Sequence, residues 1–272
     1  MITDLKTKGF AVVNNFLSSD EIEFLINEYH GSIDNNKNYN APLSSSSVGE
    51  KLGPKINNVL KLINQLTDLR PDFLLPLGLF LNTQFINFNW HQDHESYYFW
   101  QHHYDSINFY MPLVKPEKNQ TGLSIVPMDA LSTMIPTHIN DIIGKGAKTF
   151  KILEGNTRVI DDIHDTETVW NFDINNLSLN PELSAGDLLL LRGDMIHKTQ
   201  DSNTSRLAIS LRCFNSNTII SKKELLHGGR VKQRFIENNP GMYKLLRSMF
   251  DELNTDTVTA EQLFFKIKQV IT

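Results

Sequence analysis

The tract N-W-H-Q-D-H at positions 89–94 holds side chains that bind divalent metals. On an extended strand alternate side chains share a face, so His91 and Asp93 project together while Trp90 and Gln92 point away. An imidazole and a carboxylate two residues apart supply two legs of a metal site, although the same pair also occurs by chance on surfaces. A second tract, GDLLLLRGDMIHKTQDSNTSRLAISLRC at 186–213, changes the balance. Here an apolar strand ends in His197, a polar connection follows, and Arg206 opens another strand. Two imidazoles and one carboxylate can cap one face of an Fe(II) ion and leave three coordination positions open. His94, His102 and His103 offer the same donor on residue type alone.

These residues need a scaffold that brings distant strands to one point. The chain has 272 residues, 40% of them hydrophobic, so it can bury a large core. GFAVVNNF at 9–16 reads as a strand. A helix follows, with Ser18 and Glu21 as a capping box, Leu17 and Ile22 as a hydrophobic staple, and Ile22, Leu25, Ile26 and Tyr29 as its apolar stripe. Residues 34–50 are Ser/Asn-rich and read as a mobile loop, and Pro54 reads as the start of a second helix bearing Ile56, Val59, Leu60, Ile63 and Leu66. From 79 to 214 short β-like runs alternate with turn residues, the clearest being 85–93, 106–114, 122–127, 157–161, 167–173, 187–192 and 206–214. The tail returns to helix. Asn239 and Pro240 start one helix with Met242, Leu245, Leu246, Met249, Phe250 and Leu253 inward, and Thr259 with Gln262 caps another.

Composition removes several classes of function. Twenty-six basic against 31 acidic residues give a net charge of −5, which offers no field for a phosphate backbone, so nucleic acid is not expected as a partner. The single cysteine, Cys213, excludes an intrachain disulfide and a thiolate metal site, and fits a reducing, cytoplasmic setting. No signal-peptide core and no membrane-length apolar run is present.

The order His91-X-Asp93, His197, then Arg206 with R-L-A-I-S continuing its strand resembles the Fe(II)/2-oxoglutarate-dependent dioxygenases of the phytanoyl-CoA hydroxylase type. GFAVVNNFLSSDEIEFL, GLSIVP at 122–127 and the Gly186-Asp187 turn lie in register with that likeness, which spans roughly residues 9–214. The resemblance implies a mainly β fold with flanking helices around a double-stranded β-helix, a cupin-like jelly roll. It implies Fe(II) on His91, Asp93 and His197, with 2-oxoglutarate and O2 as cosubstrates. It places the distal carboxylate of 2-oxoglutarate on Arg206, whose planar fork suits it, with the Thr199 hydroxyl nearby. Asp93 stands where related halogenases have a small residue, which favours oxygenative C–H oxidation. His91 and Arg206 must meet at one site, so residues 1–272 form one domain, with a core over about 79–214, helices over about 18–68 and a helical extension over about 221–272.

Periodicity adds candidates. Arg206, Ala208, Ser210 and Arg212 share one face of the last strand, and Leu207, Ile209 and Leu211 the other. Arg212 can reach the cosubstrate or the prime substrate, or form a salt bridge at the rim. Ser106, Asn108 and Tyr110 share a face that can line the cavity, with Asn108 a candidate for 2-oxoglutarate and Tyr110 and Trp100 for substrate. The expected activity is oxidation of a small, polar or anionic organic molecule. The chain is expected to be a monomer or a homodimer through the helical extension. Two other readings compete: a cupin-fold metal enzyme that makes no use of 2-oxoglutarate and so has no need of Arg206, and a non-catalytic jelly roll that holds a ligand.

Overall fold

In a computed structural model of the chain, residues 2–33, 44–75, 78–82, 88–94, 106–120, 122–200, 205–226, 230–238 and 240–271 are described. The chain runs α1 (Asp4–Thr7), β1 (Phe10–Val13), α2 (Ser19–Ile33), α3 (Ser46–Leu66), β2 (Phe73–Leu74), β3 (Leu79–Asn82), β4 (Ile107–Val114), β5 (Leu123–Val126) and α4 (Met128–Met134). It continues β6 (Lys148–Leu153), β7 (Asn156–Asp161), β8 (Thr166–Trp170), β9 (Leu188–Arg192), β10 (Ile196–Thr199), β11 (Leu207–Phe214) and β12 (Ile219–Ser221). The tail is α5 (Lys222–Leu226), α6 (Arg230–Asn238), α7 (Pro240–Glu252), β13 (Thr257–Thr259) and α8 (Ala260–Ile271).

Two antiparallel sheets face each other, as in a jelly roll. The larger has the order β1-β9-β4-β11-β2, with β3 also on β11. The smaller contains β10 paired with β5, and the β6-β7-β8 meander. Residues 90–92 bridge its two parts: His91 N–H donates to His197 O at 3.0 Å, Gln92 N–H to Lys148 O at 2.9 Å, and Phe150 N–H to Trp90 O at 3.0 Å. The β6–β7 hairpin turns on Glu154 and Gly155, both with positive φ (50° and 79°), as a two-residue primed turn requires.

The four leucines at 188–191 show why the larger sheet is buried on both sides. Leu188 and Leu190 join Phe109, Ile209 and Leu211 under α2 and α3, while Leu189 and Leu191 face inward with Tyr110, Ala208 and Ile125. Burial on both faces makes a continuous apolar run the natural strand here, each leucine contributing about 1.5–3 kcal/mol. The expected alternation in the last strand is present, with Leu207, Ile209 and Leu211 outward and Ala208 inward.

Several sequence expectations need correction. Pro54 does not start a helix but lies inside α3, which begins at Ser46, within the stretch read as loop. Val48 and Leu52 are fully buried in line with Ile56 and Ile63, and that apolar face offsets the lost N–H of Pro54, about 3 kcal/mol in a helix interior. Ser45 and Ser47 also donate to the Glu28 carboxylate of α2. The rest of that loop, 34–43, lies outside the described residues, as do 85–87 of the first expected strand. His197 does not end the leucine strand: β9 stops at Arg192, the Gly193-Asp194 turn crosses between sheets, and His197 sits on β10 of the smaller sheet. Strands β6 and β10 were not expected as separate elements. Leu253, read as inward, is half exposed.

Both capping boxes form. Ser18 N–H donates to the Glu21 carboxylate and Glu21 N–H to the Ser18 hydroxyl, and Thr259 and Gln262 exchange the same pair of bonds. The tail builds its own cluster, in which Leu246, Phe250, Val258 and Leu263 pack on Phe214 at the end of β11. Among the described residues no helix is long and apolar enough to cross a membrane.

Candidate metal centre

His91, Asp93 and His197 converge, with one donor atom from each lying within 4.8 Å of the others. Two backbone facts produce this. His91 and His197 are direct cross-strand partners, each donating its N–H to the other's carbonyl at 3.0 Å, and their ring centroids are 4.4 Å apart. Asp93 lies two residues beyond His91, on the same face, with Oδ1 at 3.7 Å from His91 Nε2 and 3.6 Å from His197 Nε2.

The remaining polar atoms of the three side chains are already engaged. Nδ1 of His91 lies 2.7 Å from Asn89 O, and Nδ1 of His197 lies 3.0 Å from Met195 O. A carbonyl accepts only from a protonated nitrogen, so each ring carries its proton on Nδ1 and turns the Nε2 lone pair to the common point. Asp93 Oδ2 accepts from Asn108 Nδ2 at 2.7 Å and lies 3.6 Å from Arg212 Nη2. That leaves Oδ1 as the donor facing the histidines. Two neutral imidazole nitrogens and one carboxylate oxygen, each aimed by its outer atom, fit a divalent metal such as Fe(II).

Electrostatics support the same protonation states. Burial alone would raise the Asp93 pKa, but the Arg212 charge and the two neighbouring imidazoles outweigh it and hold the carboxyl well below its ordinary range. Burial, reinforced by the His91 charge, pushes His197 down to about 4 against the pull of Asp93, so the ring is a neutral ligand at pH 7. Asp93 is a carboxylate and His197 a neutral imidazole before any metal arrives.

Arg212 and Asn108 form a cross-strand pair between β11 and β4, and both meet Asp93. In the structure their contacts are with the triad carboxylate, and the Arg212 guanidinium also donates to the Ser210 hydroxyl. Asn108→Leu is expected to weaken metal binding about 10–100-fold while leaving the strand pairing intact; a Co(II) or Fe(II) titration of the apo-protein measures it.

Arg206 is 3% exposed, donates to the Gly122 carbonyl, and places its guanidinium 5.9 Å from the centre of the Tyr110 ring. The Tyr110 hydroxyl is buried and makes no hydrogen bond among the described residues. Thr199 follows His197 on the same face of β10, but its Oγ1 accepts from Phe88 N–H at 3.0 Å. That bond pins the 88–94 segment against β10, and the hydroxyl keeps a proton to donate. Trp100, His102 and His103 lie outside the described residues.

Sequence reasoning missed the carbonyls of Asn89 and Met195, which no residue type announces. It also missed Gln92, fully buried on the far side of the ligand segment, whose Nε2 donates to Ile142 O at 3.1 Å and Asp194 O at 2.7 Å. A glutamine at an inward strand position between two ligands was the available signal. Asp194 in turn forms a buried ion pair with Arg192, so the turn leading to His197 is fixed on both sides.

No family model matches the chain, and no curated protein matches it. Solved structures do. EctD from S. alaskensis, in complex with 2-oxoglutarate and 5-hydroxyectoine, aligns with a TM-score of 0.52 at 11% identity, over 81% of this chain and 77% of its own. The apo form of the same protein gives 0.52 at 10% identity over 84% and 82%, and its Fe-bound form 0.51 at 10% over 80% and 76%. At these identities the likeness establishes the fold: a jelly roll of the kind found in 2-oxoglutarate oxygenases, carrying here a His-X-Asp…His triad.

Proposed function

We propose that the protein is an Fe(II)- and 2-oxoglutarate-dependent oxygenase that oxidises a C–H bond of a small, polar or anionic organic substrate. One observation carries the reading: Nε2 of His91, Nε2 of His197 and Oδ1 of Asp93 face one point, and every other polar atom of the three side chains is tied off. A closed structural site would want a fourth protein ligand, and among the described residues the group contains three.

Fe(II) held there supplies the redox couple for activating O2 as 2-oxoglutarate is decarboxylated to succinate and CO2. The chain's own part is placement. Arg206, buried and rigidly held, offers a planar cation to the distal carboxylate of the cosubstrate. Asn108 and Arg212 keep Asp93 ionised and restrict it to one ligand oxygen. The apolar cluster on the inner face of the larger sheet would keep bulk water from that centre.

The direct test needs no prime substrate. Protein supplied with Fe(II) and 2-oxoglutarate in air is expected to form succinate slowly, and the anaerobic mixture is expected to show a visible charge-transfer band. Metal binding with neither succinate nor the band would favour a jelly-roll metal protein that does not use 2-oxoglutarate.

A further inference from the structure

The connection from β4 to β5 is secured by polar contacts, and one of its carbonyls, that of Gly122, also accepts from Arg206. Lys115 Nζ donates to the carbonyls of Glu117 at 2.8 Å, Lys118 at 2.7 Å and Gln120 at 2.7 Å, which uses all three of its N–H groups. Gln200 donates from Nε2 to Asn119 O at 2.7 Å, accepts from Gly122 N–H at 3.0 Å, and gives its own backbone N–H to Gly122 O at 3.1 Å. That same Gly122 carbonyl accepts from Arg206 Nη1. A Cβ on Gly122 would lie 3.3 Å from Gln200 Oε1 and 3.9 Å from Lys115 Nζ, so the ammonium, the amide and the glycine are in direct packing. One backbone carbonyl therefore joins the buried guanidinium to a segment whose shape depends on a charged lysine.

We propose that Lys115 is a positioning residue of the cosubstrate site, holding the segment that aims Arg206 and adding a second positive charge that draws a dicarboxylate to that end of the barrel. The inference rests on the 2-oxoglutarate reading above. Two cations at one end of a barrel repel each other, and a bound carboxylate relieves that repulsion. Partial burial first, and then the Arg206 charge, push Lys115 down to about 8, with Asp187 opposing. Asp187 is the carboxylate acting on it, and it already accepts the N–H groups of Asn15 and Ser184.

Linkage fixes the sign. An anion that stabilises the charged lysine raises its pKa, so the affinity for that anion is greatest below about pH 8 and falls as the lysine of the free protein loses its proton. The carboxylates of 2-oxoglutarate stay ionised across this range.

The experiment is an anaerobic calorimetric titration of 2-oxoglutarate into Fe(II)-loaded full-length protein at pH 6.5–9.5, for the wild type, Lys115→Met and Lys115→Arg. At pH 7 Lys115→Met is expected to bind about tenfold more weakly than wild type. Wild-type affinity is expected to fall towards the Lys115→Met value as the pH rises, while Lys115→Arg stays tight throughout. Wild-type affinity and slope in Lys115→Met would overturn the proposal. Fe(II) affinity measured in parallel identifies a misfolded variant. If Lys115→Met misfolds, the comparison of wild type with Lys115→Arg decides alone, and identical pH profiles would overturn the role. Wild-type protein that binds Fe(II) but no 2-oxoglutarate at any pH would remove the cosubstrate reading itself.

Discussion

Replacing His197 with alanine is expected to lower Fe(II) affinity by more than about two orders of magnitude and to abolish succinate formation. Losing an outer partner of a metal ligand already costs about 10–100-fold, and here a whole ligand is removed. The change acts on the centre more than on the frame, because the cross-strand bonds between His197 and His91 run through the backbone and survive the substitution. His91→Ala and Asp93→Ala are expected to behave alike, since each removes one of three donors. Circular dichroism of the variants, beside a metal titration and a succinate assay, separates loss of the centre from loss of the fold. A His197→Ala protein with full succinate production would sink the assignment.

Arg206→Ala is expected to leave Fe(II) binding near wild type and to weaken 2-oxoglutarate binding about 30-fold or more. The magnitude follows from truncating one partner of a buried, hydrogen-bonded charge pair, about 2–5 kcal/mol. The split between metal and cosubstrate is the informative part, because a metal enzyme that did without 2-oxoglutarate would have no use for this arginine. Paired titrations of the variant with Fe(II) and with 2-oxoglutarate measure the split. Arg206→Lys is expected to recover only part of the loss, since an ammonium cannot grip a carboxylate with two parallel bonds.

Two members of the triad were legible in the sequence because strand geometry has a period of two, and His197 entered through the second tract and its place after them. His91 and Asp93 could be assigned to one face from their numbers alone, and so could the alternation from Arg206 to Arg212. The capping boxes at Ser18 and Thr259 were legible for a similar reason, being local and fixed in spacing. What could not be read depended on partners distant in the chain. Asn108 reaches Asp93 because β4, β9 and β11 lie side by side in one register, and nothing near Asn108 records that. Pro54 argued locally for a helix start, yet the buried face of Val48 and Leu52 extended the helix in front of it. The crossing at Gly193-Asp194 separates β9 from β10, although a run of leucines followed by Met195 and Ile196 reads as one strand. The role given to Lys115 depends on three carbonyls and a glycine, groups without any side-chain signature.

The pairing of His91 with His197 has a consequence for how this site can vary. Because the two imidazoles are held opposite one another by main-chain bonds, the entropy of gathering two of the three donors is spent when the sheet forms, and the ion meets them already assembled. The same arrangement makes the centre sensitive to frame. A slip of one residue between these two segments would send one ring to the opposite side of the sheet and leave the other behind. Insertions in the turns of the β6-β7-β8 meander leave that frame untouched, whereas one added residue between Phe88 and His91, or between His197 and Thr199, would shift the pairing that holds the centre without changing a single ligand.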